Sequence, residues 1–182
     1  MEVRASSIRD TLDPELKNYR SLKPYKYMSR LNIQLSDNFQ LWEFVKSPTA
    51  DRNGIDNTPN RTEIDHLRQL CRKILQPARD ALGPLKISSG FRSEELNRLV
   101  GGVPNSDHRG GFAADVIPVN AGTRDLAKWV VDNCPEFDQV ILEFGTIRNP
   151  NWIHLSVAPS LRRQVLRATR ENGRTVYREI RL

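Results

Sequence analysis

The most regular pattern of apolar and polar positions in this chain starts after Asn60. Asn60 and Glu63 have the spacing of a capping box, and apolar residues then recur at helical intervals. These residues are Ile64, Leu67, Leu70, Cys71, Ile74, Leu75 and Ala78. They predict an amphipathic helix of about five turns, in which Pro77 should locally kink or end the hydrogen bonding.

Shorter segments show the alternating or continuously apolar patterns of strands. The predicted strands cover residues 85–89, 112–117, 137–144, 152–157 and 175–181. Residues 145–151 are few enough to close a hairpin between two of these strands. Ser93 should cap a helix over 94–100, and Thr123 should cap one over 124–133.

The order of these elements predicts an α+β fold, a small and mostly antiparallel sheet with helices packed on one side. Residues 47–60, rich in Gly, Pro and Asn, predict a loop. We expect three regions: an N-terminal basic arm over 1–30, a central domain over 31–159 and an arginine-rich C-terminal extension over 160–182.

Composition fits one folded domain outside a membrane. The chain has 182 residues, of which 38% are hydrophobic, enough for a single core. No apolar run approaches the roughly 18 residues of a membrane span, and the N-terminus lacks the apolar stretch of a signal peptide. Cys71 and Cys134 both lie in apolar helical patterns, which favours buried thiols and leaves a disulfide open.

Positive charge is concentrated at the two ends of the chain. Residues 1–30 contain seven Lys or Arg and four Asp or Glu, and residues 160–182 contain seven Arg and two Glu. The net charge is +6, so residues between these ends are close to neutral. The ends suit an anionic cell-wall polymer, nucleic acid, an acidic protein or simply solvent. Nucleic acid is the weakest of these alternatives, because no recognition motif accompanies the charge.

Three residues carry the candidate chemistry. His108 precedes a predicted strand in a Gly-rich loop, Asp115 lies within that strand, and His154 lies in a later one. Two imidazoles and a carboxylate are the ligand set of a catalytic zinc ion, with a fourth position for water. A carboxylate among apolar residues is costly to bury unless it is paired or bound to metal. The alternative is purely structural histidines, which is how we interpret His66 on the polar side of the long helix.

A zinc hydrolase also needs a base that takes a proton from water. Glu143 is the strongest candidate, since it ends the strand expected to pair with that of His154; a surface glutamate at a hairpin end is the alternative. Three other acids have weaker geometric claims: Glu43, Glu94 and Glu136. Arg92 follows a strand and could hold a substrate carboxylate with its planar guanidinium group.

These residues match a known pattern. The segments Ser106-Asp-His108, Gly111, Ala113, Asp115 and Trp152-Ile-His154 resemble the M15 peptidases. This family contains zinc D-Ala-D-Ala carboxypeptidases and L-Ala-D-Glu-type endolysins with the hedgehog/DD-peptidase fold. The resemblance covers roughly residues 35–158. Further segments resemble the phage-type branch: Leu35-Ser-Asp-Asn-Phe39, Glu43-Phe44, Gly54-Ile-Asp-Asn57, Leu75-Gln-Pro77, Ser88-Ser-Gly-Phe-Arg-Ser93, Asn97 and Asp138-Gln139.

The resemblance implies one zinc ion held by His108, Asp115 and His154. It also implies contacts with the substrate, which we assign to Arg92, Ser106, Gln139 and Trp152.

Two positions depart from the family pattern. Asn151 stands where many members have an acid, three residues before the last histidine, so either Glu143 supplies the base or activity is weak or lost. Asp107 stands where a neutral residue is usual, and it would add negative charge beside a ligand.

The sequence therefore predicts a zinc-dependent peptidase that cuts peptide bonds in bacterial peptidoglycan stems, as a D,D-carboxypeptidase or an endolysin. We expect it to be associated with a phage, in the cytoplasm of the infected host or in the virion, and to act on the cell wall. The alternative is a structural protein of the virion, from tail, baseplate or capsid, that keeps this fold. Residues 1–30 and 160–182 would then contact other virion proteins.

Overall fold

The computed structural model describes residues 33–182. The basic arm predicted over 1–30 lies outside the described residues. The strands are β1 (Gln34–Ser36), β2 (Phe39–Gln40), β3 (Leu85–Ser89), β4 (Ala113–Pro118), β5 (Gln139–Glu143), β6 (Trp152–Ser156), β7 (Gln164–Glu171) and β8 (Arg174–Glu179). The α-helices are α1 (Leu41–Val45), α2 (Pro48–Asn53), α3 (Arg61–Leu70), α4 (Gln76–Leu82), α5 (Glu94–Leu99) and α6 (Thr123–Asn133).

The main sheet confirms the predicted α+β class. Its strand order is β3-β4-β6-β5-β7-β8. All neighbouring strands are antiparallel except β5 and β7, which run parallel. A small hairpin of β1 and β2 lies outside this sheet.

Side chains on one face of this sheet form the core together with the helices. Alternate residues of the inner strands, such as Val116, Leu142 and Leu155, are fully buried in one cluster with residues of α3, α4 and α6. Because successive side chains of a strand point to opposite faces, Asp115 and His154 lie on the other face. The helices therefore cover one face of the sheet, and the candidate functional side chains lie on the opposite face.

The long helix forms as predicted, with an irregular centre. Asn60 Oδ1 accepts a hydrogen bond from the Glu63 N–H at 3.0 Å, and Glu63 accepts one from the Asn60 N–H, which completes the capping box. A π-helical turn, Cys71–Leu75, joins α3 to α4. Pro77 follows this turn and lies in the first turn of α4. The irregularity therefore precedes the proline, where the wider turn accommodates its ring against the preceding carbonyls.

Two local predictions are wrong. Residues 47–60 are not wholly a loop, because Ser47 Oγ accepts a hydrogen bond from the Ala50 N–H at 3.2 Å and caps α2, which starts at a proline. Thr123 does not cap α6; it is the first helical residue, and Gly122 occupies the cap position.

The C-terminal segment 160–182, expected to lie outside the 31–159 domain, contributes β7 and β8 to the same sheet. The strand predicted over 175–181 is β8, whereas β7 was not predicted. β7 pairs with β5 over five residues, from Gln139 with Gln164 to Glu143 with Ala168. β7 was difficult to predict for two reasons. A strand that pairs in parallel has its partner far away in sequence, and the arginines within β7 interrupt the apolar pattern of a strand.

Cys71 and Cys134 are both buried free thiols, as predicted. Among residues 33–182 no helix combines the length and the apolar character that crossing a membrane requires.

Candidate metal centre

Three side chains converge on the open face of the sheet. His108 Nε2 lies 3.1 Å from His154 Nδ1 and 3.2 Å from Asp115 Oδ1, and His154 Nδ1 lies 3.2 Å from the same carboxylate oxygen. All three residues are buried. The three atoms form a nearly equilateral triangle of two ring nitrogens and one carboxylate oxygen, and atoms of both kinds commonly bind metal ions.

The size of this triangle fits a tetrahedral ion. Bonds of about 2.0–2.1 Å to zinc place two ligand atoms about 3.3 Å apart in a tetrahedron, close to the observed 3.1–3.2 Å. The ligands that the sequence implied therefore have the spacing that zinc requires.

Strand register brings two of the ligands together. Asp115 on β4 is the direct partner of His154 on β6, and directly opposed side chains share a face. His108 arrives from a 3-10 turn, Asp107–Gly110, which ends at Gly111 with a φ of 74°. A Cβ on Gly111 would also lie 2.5 Å from the Glu63 carbonyl oxygen, so only glycine fits where the loop enters β4.

A backbone carbonyl orients the first histidine. His108 Nδ1 lies 2.7 Å from the Gly90 oxygen. A carbonyl only accepts, so Nδ1 carries the hydrogen and Nε2 presents its lone pair to the other two ligands. Gly90 passes close to α1, where a Cβ would lie 2.6 Å from the Phe44 Cα. Because residue 90 has no side chain, its backbone can lie close to α1, and this places the carbonyl oxygen that accepts from His108.

Arg92 contacts a ligand of the centre. Its Nη2 donates to Asp115 Oδ2 at 2.7 Å, and its Nε donates to Ser89 Oγ at 2.9 Å. One carboxylate oxygen is therefore held by the guanidinium group while the other faces the two histidines. Sequence reasoning proposed a substrate contact for Arg92 and missed this ligand-orienting role, which depends on contacts distant in sequence.

The charge of Asp115 is well supported. Burial opposes its ionisation, but the adjacent His108 and His154 outweigh burial and hold the pKa of Asp115 well below its usual range. The centre thus contains a fixed negative charge, as a cation site requires.

Glu143 lies beside the centre on the same face. His154 opposes Ile141, so Glu143 is its diagonal neighbour, at the separation of about 7–8 Å expected for that arrangement. Burial and the charge of Asp115 raise the pKa of Glu143 to about 7, against the opposing effects of His154 and Arg92. A carboxyl group that titrates near neutrality suits an acid-base role.

Trp152 is the direct strand partner of Glu143. Its indole N–H lowers the pKa of Glu143 somewhat, and its ring packs edge-on against Phe144 with centroids 5.3 Å apart. The indole Nε1 is buried, and its effect on the pKa of Glu143 places its N–H next to that carboxylate.

The other predicted contacts lie around this face. Ser106 precedes the turn that carries His108. Gln139 starts β5 on the same face as Glu143, and its side chain donates to Gln164 at 2.8 Å. Both substrate-contact assignments stay predictions.

The two departures from the family pattern have structural settings. Asn151 is exposed in the β5–β6 hairpin, and its backbone N–H donates to the Glu143 carbonyl at 2.9 Å. Asp107 forms an ion pair of 3.3 Å with Arg162, so its charge is compensated. Asn151 therefore anchors the backbone of the candidate base without offering a carboxylate.

The weaker acid candidates are engaged elsewhere. Glu43 accepts from the Gln40 N–H at 2.9 Å in the cap of α1, Glu94 pairs with Arg109 at 3.0 Å, and Glu136 pairs with Lys73 at 2.5 Å. Their contacts leave Glu143 as the acid adjacent to the ligands.

His66 supports the loop of the first ligand. Its Nδ1 donates to the Gly110 oxygen at 2.8 Å, and its ring stacks on Phe112 with centroids 4.0 Å apart. The structural interpretation of this histidine is consistent with these contacts, but the loop that it holds could not be read from helical spacing.

Comparison with known proteins identifies one family. Residues 37–156 match the family model described as Peptidase M15. The comparison with curated proteins found no match. The matched range ends at the last residue of β6 and contains all three candidate ligands and Glu143.

Proposed function

Because this chain belongs to the M15 peptidase family, we propose that it is a zinc peptidase that hydrolyses peptide bonds in the stem peptides of bacterial peptidoglycan. The observation that carries the proposal is the triangle of His108, Asp115 and His154 with edges of 3.1–3.2 Å. Glu143, with a pKa raised to about 7 by burial and by Asp115, lies beside it.

The donor set fits zinc. Two neutral imidazoles and a carboxylate are ligands that zinc accepts, and their lone pairs converge where only a cation or a shared proton relieves their repulsion. A zinc ion held by His108 Nε2, His154 Nδ1 and Asp115 Oδ1 would supply Lewis acidity to the scissile carbonyl and to the attacking water.

Glu143 performs the proton transfers in this proposal. As a carboxylate it takes a proton from the attacking water, and as a carboxylic acid it then gives that proton to the leaving amine. A pKa near 7 suits both steps, because neither protonation state is costly at neutral pH. Arg92 keeps Asp115 oriented, and Asn151 fixes the backbone of Glu143 through its N–H.

Substrate contacts follow from the groups that face this centre. The Nε and Nη2 of Arg92 are used by Ser89 and Asp115, and Nη1 is proposed to bind a substrate carboxylate. Trp152, the strand partner of Glu143 on β6, is proposed to contact the substrate through its ring. Ser106 and Gln139 are proposed to border the same cleft.

The test is the release of new amino groups from purified cell wall by the zinc-loaded protein. Wild type should release them and bind one equivalent of zinc. Glu143→Gln should keep the zinc and lose at least about 100-fold in rate, the usual contribution of a general base. Glu136→Gln, an exposed acid paired with Lys73, is the matched control and should retain full activity.

A second function is favoured by Asn151, which stands where many members of the family have an acid. In this alternative the chain is a virion structural protein that keeps the fold and the metal, with its basic ends on other virion proteins. One equivalent of bound zinc without release of amino groups by wild type would reject the peptidase and favour this role. Association with a phage belongs to both proposals.

A further inference from the structure

The last two strands extend the sheet face that carries the metal centre. Glu143 on β5 pairs with Ala168 on β7, and Ala168 pairs with Tyr177 on β8. Cross-strand partners share a face, so these three side chains form one row with Trp152 on the opposite side of Glu143. Two strand spacings separate Glu143 from Tyr177, about 10 Å between their Cα atoms.

The layer beneath this extension is apolar and already covered. Ile141, Leu166 and Ala168 form a buried cluster separate from the main core, with relative exposures of 6%, 9% and 0%. Ile141 is the direct partner of His154, so this layer runs from the metal centre to β7 and supports the side chains above it. Ala168 itself is closed to solvent, so a substrate would reach the larger side chains of this row, Tyr177 among them.

Tyr177 is the large side chain on the far side of this layer. It is 50% exposed, so half of the ring is open to a ligand. Its pKa is raised by burial and then by the charges of Glu143 and Asp115, which indicates that the phenol lies within the electrostatic reach of the centre. Arg170, also on β7, opposes this effect.

We propose that the β7–β8 hairpin forms the wall of the substrate cleft on the Glu143 side, and that Tyr177 is a specificity-determining residue that contacts the peptide there. The occupant is the part of the substrate that follows the scissile bond. Glu143 delivers its proton to the leaving amine, so the residues attached to that amine extend past Glu143 toward Tyr177. This inference rests on the proposed peptidase function.

The chemistry of the wall defines what it accepts. The half-exposed ring of Tyr177 offers an apolar surface to a substrate side chain, and its phenol hydroxyl can donate to a peptide carbonyl. The hairpin lies outside the residues that match the family, so this selectivity would be particular to chains that carry such a hairpin.

The experiment compares synthetic stem peptides that end one residue after the scissile bond with peptides that continue for three. Tyr177→Ala should raise KM for the longer peptide about 5- to 10-fold, with kcat nearly unchanged, and leave the shorter peptide unaffected. Loss of an aromatic contact and one hydrogen bond is of this size. Tyr177→Phe should show how much of this increase in KM is due to loss of the hydroxyl. Val176→Ala, on the opposite face of the same strand, is the control.

A binding measurement separates this inference from the peptidase proposal. Affinity of the longer peptide for zinc-loaded Glu143→Gln is compared with that for the Glu143→Gln, Tyr177→Ala double variant by calorimetry. A 5- to 10-fold weaker affinity in the double variant supports the wall even where wild type proves inactive. Equal affinities, with both variants folded by circular dichroism, overturn it.

Discussion

Replacing Arg92 by alanine distinguishes two roles for this arginine, orientation of a metal ligand and recognition of substrate. The guanidinium group donates to Asp115 Oδ2 at 2.7 Å, between side chains that are 19% and 9% exposed. A hydrogen bond to a charged, largely buried group contributes about 1.5–3 kcal/mol. At about 1.4 kcal/mol for each factor of ten, loss of the bond should weaken zinc binding roughly 10- to 100-fold, the range found for such supporting contacts.

The assay is competition for zinc with a chromophoric chelator. Arg92→Lys should fall between wild type and Arg92→Ala, because lysine keeps the charge and loses the planar group that reaches both Ser89 and Asp115. Arg98→Ala, an exposed arginine on α5, is the control and should bind zinc as wild type does. Unchanged zinc affinity in Arg92→Ala, with KM alone increased, would refute the ligand-orienting role and restore the role predicted from sequence.

Three further predictions concern the base and the supports of the centre. Glu143 must be ionised to accept a proton, so kcat/KM should fall tenfold per pH unit below its pKa; that pKa is about 7 without metal, and a bound cation lowers it, so the midpoint of the acid limb should lie at or below 7. A midpoint clearly above 7 contradicts the assignment. His66→Ala should lower the free energy of unfolding by about 1–2 kcal/mol, through the lost hydrogen bond and ring stack, and should weaken zinc binding; urea unfolding and chelator competition measure both. Gly90→Ala should cost about 1–3 kcal/mol, because its Cβ would lie 2.6 Å from the Phe44 Cα, and it should displace the carbonyl that orients the first ligand; zinc affinity equal to wild type would contradict that link.

The three candidate ligands could be picked out from sequence because they lie in short, recognisable segments. Asp115 stands out as an acid within an apolar strand, His108 precedes that strand in a Gly-rich loop, and His154 lies within a later strand. Strand pairing then leaves few ways to place them, and the register of Asp115 with His154 follows from the hydrophobic pattern that buries one face.

The supports of the centre could not be predicted in the same way. Gly90, His66 and Arg92 act on residues 18 to 44 positions away, and their residue types do not indicate a partner. β7 was missed for another reason. Its arginines are spaced among apolar residues, and Arg167 is buried because its guanidinium group donates to the Leu142 and Gly145 carbonyls, an arrangement that looks like a solvated face in sequence alone.

The arginine-rich C-terminus has a consequence for the behaviour of the protein in solution. Without β7 and β8, the unpaired backbone of β5 would form an open edge beside the candidate metal centre, where a second chain could add a strand. With them, β8 becomes the edge, and it carries the exposed Arg174 and Arg178. Charged side chains along an edge oppose strand addition between copies. We therefore expect the hairpin to protect the sheet against aggregation, and neutral substitutions at these two arginines should lower the concentration at which the protein begins to aggregate.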